Sequence, residues 1–297
     1  MVYGVVLALL LVFLYFFDVK IVPRDQSGTA EISGGANAPE EALNLDPSYF
    51  KKQVISDGGA VLNIKWGDLG KKLVEKGVID MDKMEELYAG RGGLDDFEKS
   101  LLDGGNNGEI TINERNAPFI LNMFWAFGLA NTSSALNEGP MHDYSDTGNF
   151  ASTGGWTLSK GDAMNHYGKY NFLNLTEDQE MLVNEVAMNI YRPCCNNSTY
   201  FPDCNHGMAM LGFLELLAAN GAGADEMYEQ ALLLNSYWFP DTYVNLAKFF
   251  YEKDGIAWQD VDAKTALGVD YSSSSGYRQV LATIEPELSK GGGSCGV

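Results

Sequence analysis

The chain predicts a mainly α-helical fold: an N-terminal transmembrane helix, then a globular helical bundle with helical hairpins and one long irregular excursion. Three observations carry that expectation. Residues 2 to 17, VYGVVLALLLVFLYFF, hold no charge. Apolar residues recur at helical spacing through most of the remaining sequence. Finally, 297 residues that are 45% apolar and 20% charged are enough to bury a sizeable core without disulfide staples.

Residues 1–22 are read as a single-pass anchor. As a helix, the sixteen residues from 2 to 17 cover about 24 Å against a hydrocarbon core of about 30 Å, so Val19, Ile21 and Val22 must join while Lys20 snorkels. A cleaved signal peptide competes, yet no basic residue precedes the run and no Ala-x-Ala site comes after it. Residues 23–48 form a flexible linker rich in Gly, Ala and Ser, and 49–290 form the α-helical soluble domain. Lys20 and Arg24 behind the apolar run argue for a cytoplasmic domain. The stalk-like linker and the sequons at Asn131, Asn174, Asn196 and Asn197 tip the reading to the extracytoplasmic side.

Within the domain, Leu69, Leu73 and Val74, then Met81, Met84 and Leu87, then Leu94, Phe97 and Leu101 mark short helices separated by glycines. PFILNMFWAFGLA, from Pro118 to Ala130, is apolar on nearly every face and suits a buried central helix. Residues 131–165 lack periodicity but carry aromatics such as Trp156, which predicts an ordered irregular excursion packed on helices. Thr176 caps an amphipathic helix that stops at Pro193. Ser198 to Asp203 recurs weakly as Ser236 to Asp241, each copy before a helical run, which suits a pair of helical hairpins. Ser272 to Ser275 read as a loop, and the Gly-rich tail 291–297 as flexible.

Forty acidic residues against twenty basic ones give a charge of -20, with no basic cluster, which excludes nucleic acid as a partner. No P-loop, GxGxxG, HExxH or GxSxG pattern appears in its required context, so nucleotide cofactors are not indicated. The membrane is the expected partner through the N-terminal helix.

Chemistry concentrates at residues 194–206, where three of the four cysteines and one of three histidines fall together. Thiolate and imidazole at that density match zinc or cuprous copper, with Met208 and Met210 favouring the softer ion. If Pro202 and Asp203 open the next helix, Cys204 sits in its first turn, where the dipole stabilises a thiolate. The candidate ligands are Cys194, Cys195, Cys204 and His206, with His166 and His142 reaching in from outside the loop. Two alternatives stay open. One is a disulfide from Cys204 to Cys194 or Cys195 that staples a helical-hairpin module for a protein partner. The other is a thiol enzyme in which Cys204 works with a histidine base and an orienting Asp143 or Asp162.

A second constellation, Asp103 to Glu114, resembles an EF-hand loop: Asp103, Asn107, Glu109 and Glu114 are its candidate calcium ligands, and Gly108 stands at the turn position. Gly105 leaves the third position without an oxygen, and the competing reading is a turn leading into a strand over 109–112. The stretch CCNNSTYFPDCNHGMAML and the ending GGGSCGV resemble uncharacterised membrane-tethered proteins of uncultivated prokaryotes. That resemblance implies a prokaryotic host and no particular activity.

Overall fold

The computed structural model describes residues 47–104 and 108–284. In chain order these form α1 (Pro47–Val54), β1 (Ala60–Leu62), α2 (Leu69–Glu75), α3 (Met81–Ala89), α4 (Asp96–Asp103), β2 (Ile110–Ile112), α5 (Ala117–Ala130) and α6 (Ser134–Asn137). After the excursion come α7 (Glu177–Ala187), α8 (Asn205–Ala219), α9 (Ala224–Trp238), α10 (Pro240–Asp254), α11 (Ala263–Leu267), α12 (Val269–Ser272) and α13 (Ser274–Ile284). The fold is mainly helical, as expected. The anchor 1–22, most of the linker 23–48 and the tail 291–297 lie outside the described residues, and among those described no helix is long and apolar enough to cross a membrane.

Two helices that are apolar on almost every face, α5 and α8, form the centre, because such a helix can satisfy itself only by burial on all sides. They approach backbone to backbone at Gly128 and Gly212, where a Cβ on Gly212 would stand 2.8 Å from both Phe124 O and Gly128 N. Phe124 stacks on Phe213 with ring centroids 5.2 Å apart, and Trp66 closes the other side of Phe124 and Phe127. Trp66 Nε1–H donates to Leu101 O at 2.8 Å, which ties this core to the end of α4. Around the central pair, α7 packs on α8, α9 on both α8 and α10, and α1 on α10.

Local signals are honoured where a side chain can act on its own helix end. Thr176 and Gln179 form a capping box on α7, and Asp95 and Glu98 form one on α4. Pro118 occupies the first turn of α5, where its missing N–H costs nothing. Four expectations need correction. The helix begun at Thr176 ends at Ala187 rather than Pro193, because Ile190 turns inward and its carbonyl accepts the Thr199 N–H. The strand expected over 109–112 as the competing reading of the EF-hand-like loop exists as the shorter Ile110–Ile112, paired antiparallel with the distant Ala60–Leu62. Ser274 and Ser275 belong to α13 instead of a loop, with the Ser273 hydroxyl accepting from Gly276 N–H. The two copies of the weak repeat also differ in backbone: Ser198 to Asp203 is irregular, whereas Ser236 to Trp238 completes α9 before α10 begins at Pro240.

The excursion over 131–165 is irregular and ordered, as the aromatics suggested. It contains α6 and two 3-10 turns, Thr147–Asn149 and Ala163–Asn165. Trp156 is buried against Trp125, and its indole N–H donates to Val78 O at 2.8 Å. Its middle also docks on the Cys-rich loop: Ser152 N–H donates to Asp203 O, and Tyr144 and Phe150 meet Phe201 edge to face.

Candidate metal centre

The Cys-rich loop is held in place from several sides before any sulfur is considered. Tyr191 N–H donates to Leu267 O, Tyr200 N–H to Ala187 O and Thr199 N–H to Ile190 O. The first turn of α13 supplies two more donors, Ser274 N–H to Cys195 O at 2.9 Å and Ser275 N–H to Asn196 Oδ1 at 2.8 Å. At the far end of the loop Cys204 is the N-cap of α8, one step outside the first turn expected for it. Its sulfur accepts the Gly207 N–H at 3.4 Å. A cysteine in the place of the usual Ser, Thr, Asp or Asn puts sulfur where a helix presents free N–H groups and the positive end of its dipole.

These restraints bring Cys194, Cys195 and Cys204 together, with their three sulfurs all within 4.8 Å of one another. The Sγ atoms of Cys194 and Cys204 are 3.4 Å apart, and all three thiols are half-buried and free of disulfide. The group is organised by Arg192, which is 1% exposed. Its Nε–H donates to Cys204 Sγ at 3.0 Å, Nη1–H to Asn197 O at 2.9 Å, and Nη2–H to Asp203 Oδ1 at 3.0 Å and Phe201 O at 3.3 Å. Asp203 is braced in turn by Asn197 Nδ2–H at 2.8 Å. Gly207 is required beside the guanidinium, since a Cβ there would run into Arg192.

Cys204 is the most acidic of the trio. Hydrogen bonds from Cys194 and Cys195 hold its thiol well below the ordinary range, with Arg192 adding to them against the opposing effect of burial. The same bonds act in reverse on the donors: Cys194 is pushed up by its neighbours' sulfurs and by burial. Cys195 is raised to about 11, because its bond with Cys204 and its burial outweigh the lowering by Cys194. Burial alone would weaken the Arg192 cation, yet the surrounding sulfurs raise it instead. The arrangement sets the most acidic of three thiols beside a buried cation paired with a carboxylate.

The expected histidines do not join this trio. His206 lies two residues into the site's helix, with its ring 4.4 Å from that of Phe239 and its Nδ1 against Asn205 Oδ1; burial pushes its pKa down to about 4, so the ring is neutral. His166 is buried elsewhere, with Nδ1 3.0 Å from Tyr170 Oη, and His142 is exposed beside Asp143. The residues that hydrogen-bond the Cys204 sulfur, Arg192, Cys194, Cys195 and Gly207, include no histidine base. Met208 and Met210 are buried in the α5/α8 core. Among the described residues of the EF-hand-like loop, Asp103, Glu109 and Glu114 do not gather as a trio. Asp103 ends α4, Gly104 reverses the chain at φ 81°, Glu109 stands just before β2, and Glu114 pairs with Lys51 Nζ at 2.7 Å. Asn107 lies outside the described residues, among which the three cysteines are the one trio of His, Cys, Asp or Glu donors that converges.

Sequence reasoning missed Arg192. Its signal was present: an arginine two residues before a Cys-Cys pair in a chain with half as many cations as anions. It also missed Glu215, the one charged residue in the apolar helix α8, which is fully buried and accepts Asn131 Nδ2–H at 2.8 Å. Asn131 is itself buried, so the first of the four sequons is closed to glycosylation in the folded chain. No protein family, no curated protein and no solved structure matches the chain.

Proposed function

We propose that the chain holds one thiophilic metal ion, zinc or cuprous copper, on Cys194, Cys195 and Cys204. The observation that carries the reading is the convergence of three sulfurs within 4.8 Å. Sulfurs arranged tetrahedrally around zinc at about 2.3 Å stand about 3.8 Å apart, so the 3.4 Å between Cys194 and Cys204 needs only a small expansion. Charge supports a dipositive ion. Arg192 and Asp203 balance each other, and three ionised sulfurs would be left uncompensated in a half-buried place unless a cation joined them. Arg192 Nε–H and Gly207 N–H orient Cys204 as a ligand, in the way hydrogen bonds around a metal site fix its donors. With no imidazole in the trio, a fourth position stays open to water or substrate, which suits a redox or exchangeable centre as well as a structural one.

Metal analysis of the purified full-length chain tests this. One equivalent of ion per chain is expected, with stoichiometric loss in Cys204→Ala; equal metal content in the two proteins would sink the reading. The anchor over residues 1–22, with the domain on the extracytoplasmic side, is proposed from the sequence alone, and protease protection on intact cells tests it.

A further inference from the structure

The geometry points to a second capacity of the same sulfurs: we infer that Cys204 and Cys194 form a two-electron switch that a small hydroperoxide closes to a disulfide. The accompanying release of the ion rests on the metal reading above; the sulfur chemistry does not.

Cys204 presents the nucleophile. Its sulfur is fixed at the start of α8 and receives two N–H donors, from Arg192 and Gly207, which favour an anion there. Cys194 is the resolving partner. Its sulfur is already 3.4 Å away, so the bond length of about 2.05 Å requires an approach of roughly 1.4 Å. It stands in the irregular stretch between α7 and α8, outside either helix. Cys195 is set differently. Its sulfur also reaches Cys204 but is shared with Asn197 O at 3.8 Å and Asp203 Oδ1 at 3.9 Å, and a bridge to the adjacent Cys194 would be strained. All three thiols are half-buried, which admits hydrogen peroxide more readily than a bulky lipid peroxide.

The chemistry balances in two steps. The Cys204 thiolate attacks the peroxide, the O–O bond breaks, sulfur gains oxygen as a sulfenic acid, and the departing alkoxide or hydroxide takes a proton from water. The Cys194 thiol then displaces that oxygen as water and the disulfide forms. Sulfur has lost two electrons and the peroxide has gained them. A bound ion would lose two of its three ligands in the process, and Cys195 alone could not hold it.

The test uses the full-length chain in detergent, loaded with zinc, treated with hydrogen peroxide, alkylated and mapped by peptide mass. A peptide pair joined through Cys194 and Cys204, with Cys195 alkylated and one equivalent of zinc appearing in a chromogenic chelator, is the expected result. Cys194→Ser should stop at a sulfenic acid on Cys204 that a 1,3-diketone traps, and Cys195→Ser should still form the bridge. The same bridge in a chain that never binds zinc supports the switch and sinks the metal reading. Zinc retained through treatment without that bridge, or a bridge through Cys195 or through Cys295, the fourth cysteine of the chain, overturns the switch and leaves the metal reading standing. The wild-type map decides the matter even if a variant fails to fold.

Discussion

Arg192 does three jobs at once: it donates to the Cys204 sulfur, pairs with Asp203 and clamps two loop carbonyls. Removing a buried charge from such a cluster is far more costly than never having one, because the partners left behind stay desolvated. Arg192→Met should therefore lose about 3–5 kcal/mol in urea unfolding. Arg192→Lys should recover only part of that, since an ammonium cannot reproduce the planar fork. Glu215 offers a test of sign. Burial raises its carboxyl well above the ordinary 4.5, so the native state keeps a proton that the unfolded chain gives up. Stability from this group is complete below pH 4.5 and is lost as pH rises through the folded value. Thermal melts across that range should show Glu215→Gln flattening the decline, with the variant melting above the wild type at alkaline pH and matching it in acid. A wild type at least as stable as the variant at alkaline pH would contradict the assignment.

At the scale of elements, the α5/α8 crossing depends on two glycines whose missing side chains let the backbones touch. Gly212→Ala should cost about 1–3 kcal/mol through overpacking. Gly90, which ends α3 at φ -64° with nothing within 4 Å of its would-be Cβ, is the control: Gly90→Ala should be neutral or stabilise by about 0.4–1 kcal/mol. Chemical denaturation of the pair separates close packing from glycine entropy. Period and end-chemistry made these helices legible, as the capping residues Thr176 and Asp95 and the unbroken apolar run of α5 show. Where two elements meet was not legible. β2 has no sequence mark that names β1 as its partner, and Ile190 turns inward through a bond to Thr199 that helical spacing does not anticipate.

For the whole molecule, a charge of -20 disfavours compaction through self-repulsion. Surface ion pairs such as Lys72 with Asp68 are exposed and contribute little, so salt should screen more repulsion than attraction. The melting temperature is expected to rise with sodium chloride, by about 2–4 °C for each kcal/mol regained in a domain of this size. A fall over the same series would show that the ion pairs outweigh the net charge.

Composition and period by themselves determined that the described chain is helical, that the stretch after Ala130 is irregular yet packed, and that sulfur chemistry gathers at 194–206. Those are properties of neighbours along the chain. Tertiary structure alone decided the donor set, because His206 turns to Phe239, His166 to Tyr170 and Glu114 to Lys51, while Arg192 turns inward to the sulfurs. Which way a side chain faces depends on what the rest of the fold packs around it, and no spacing rule carries that information.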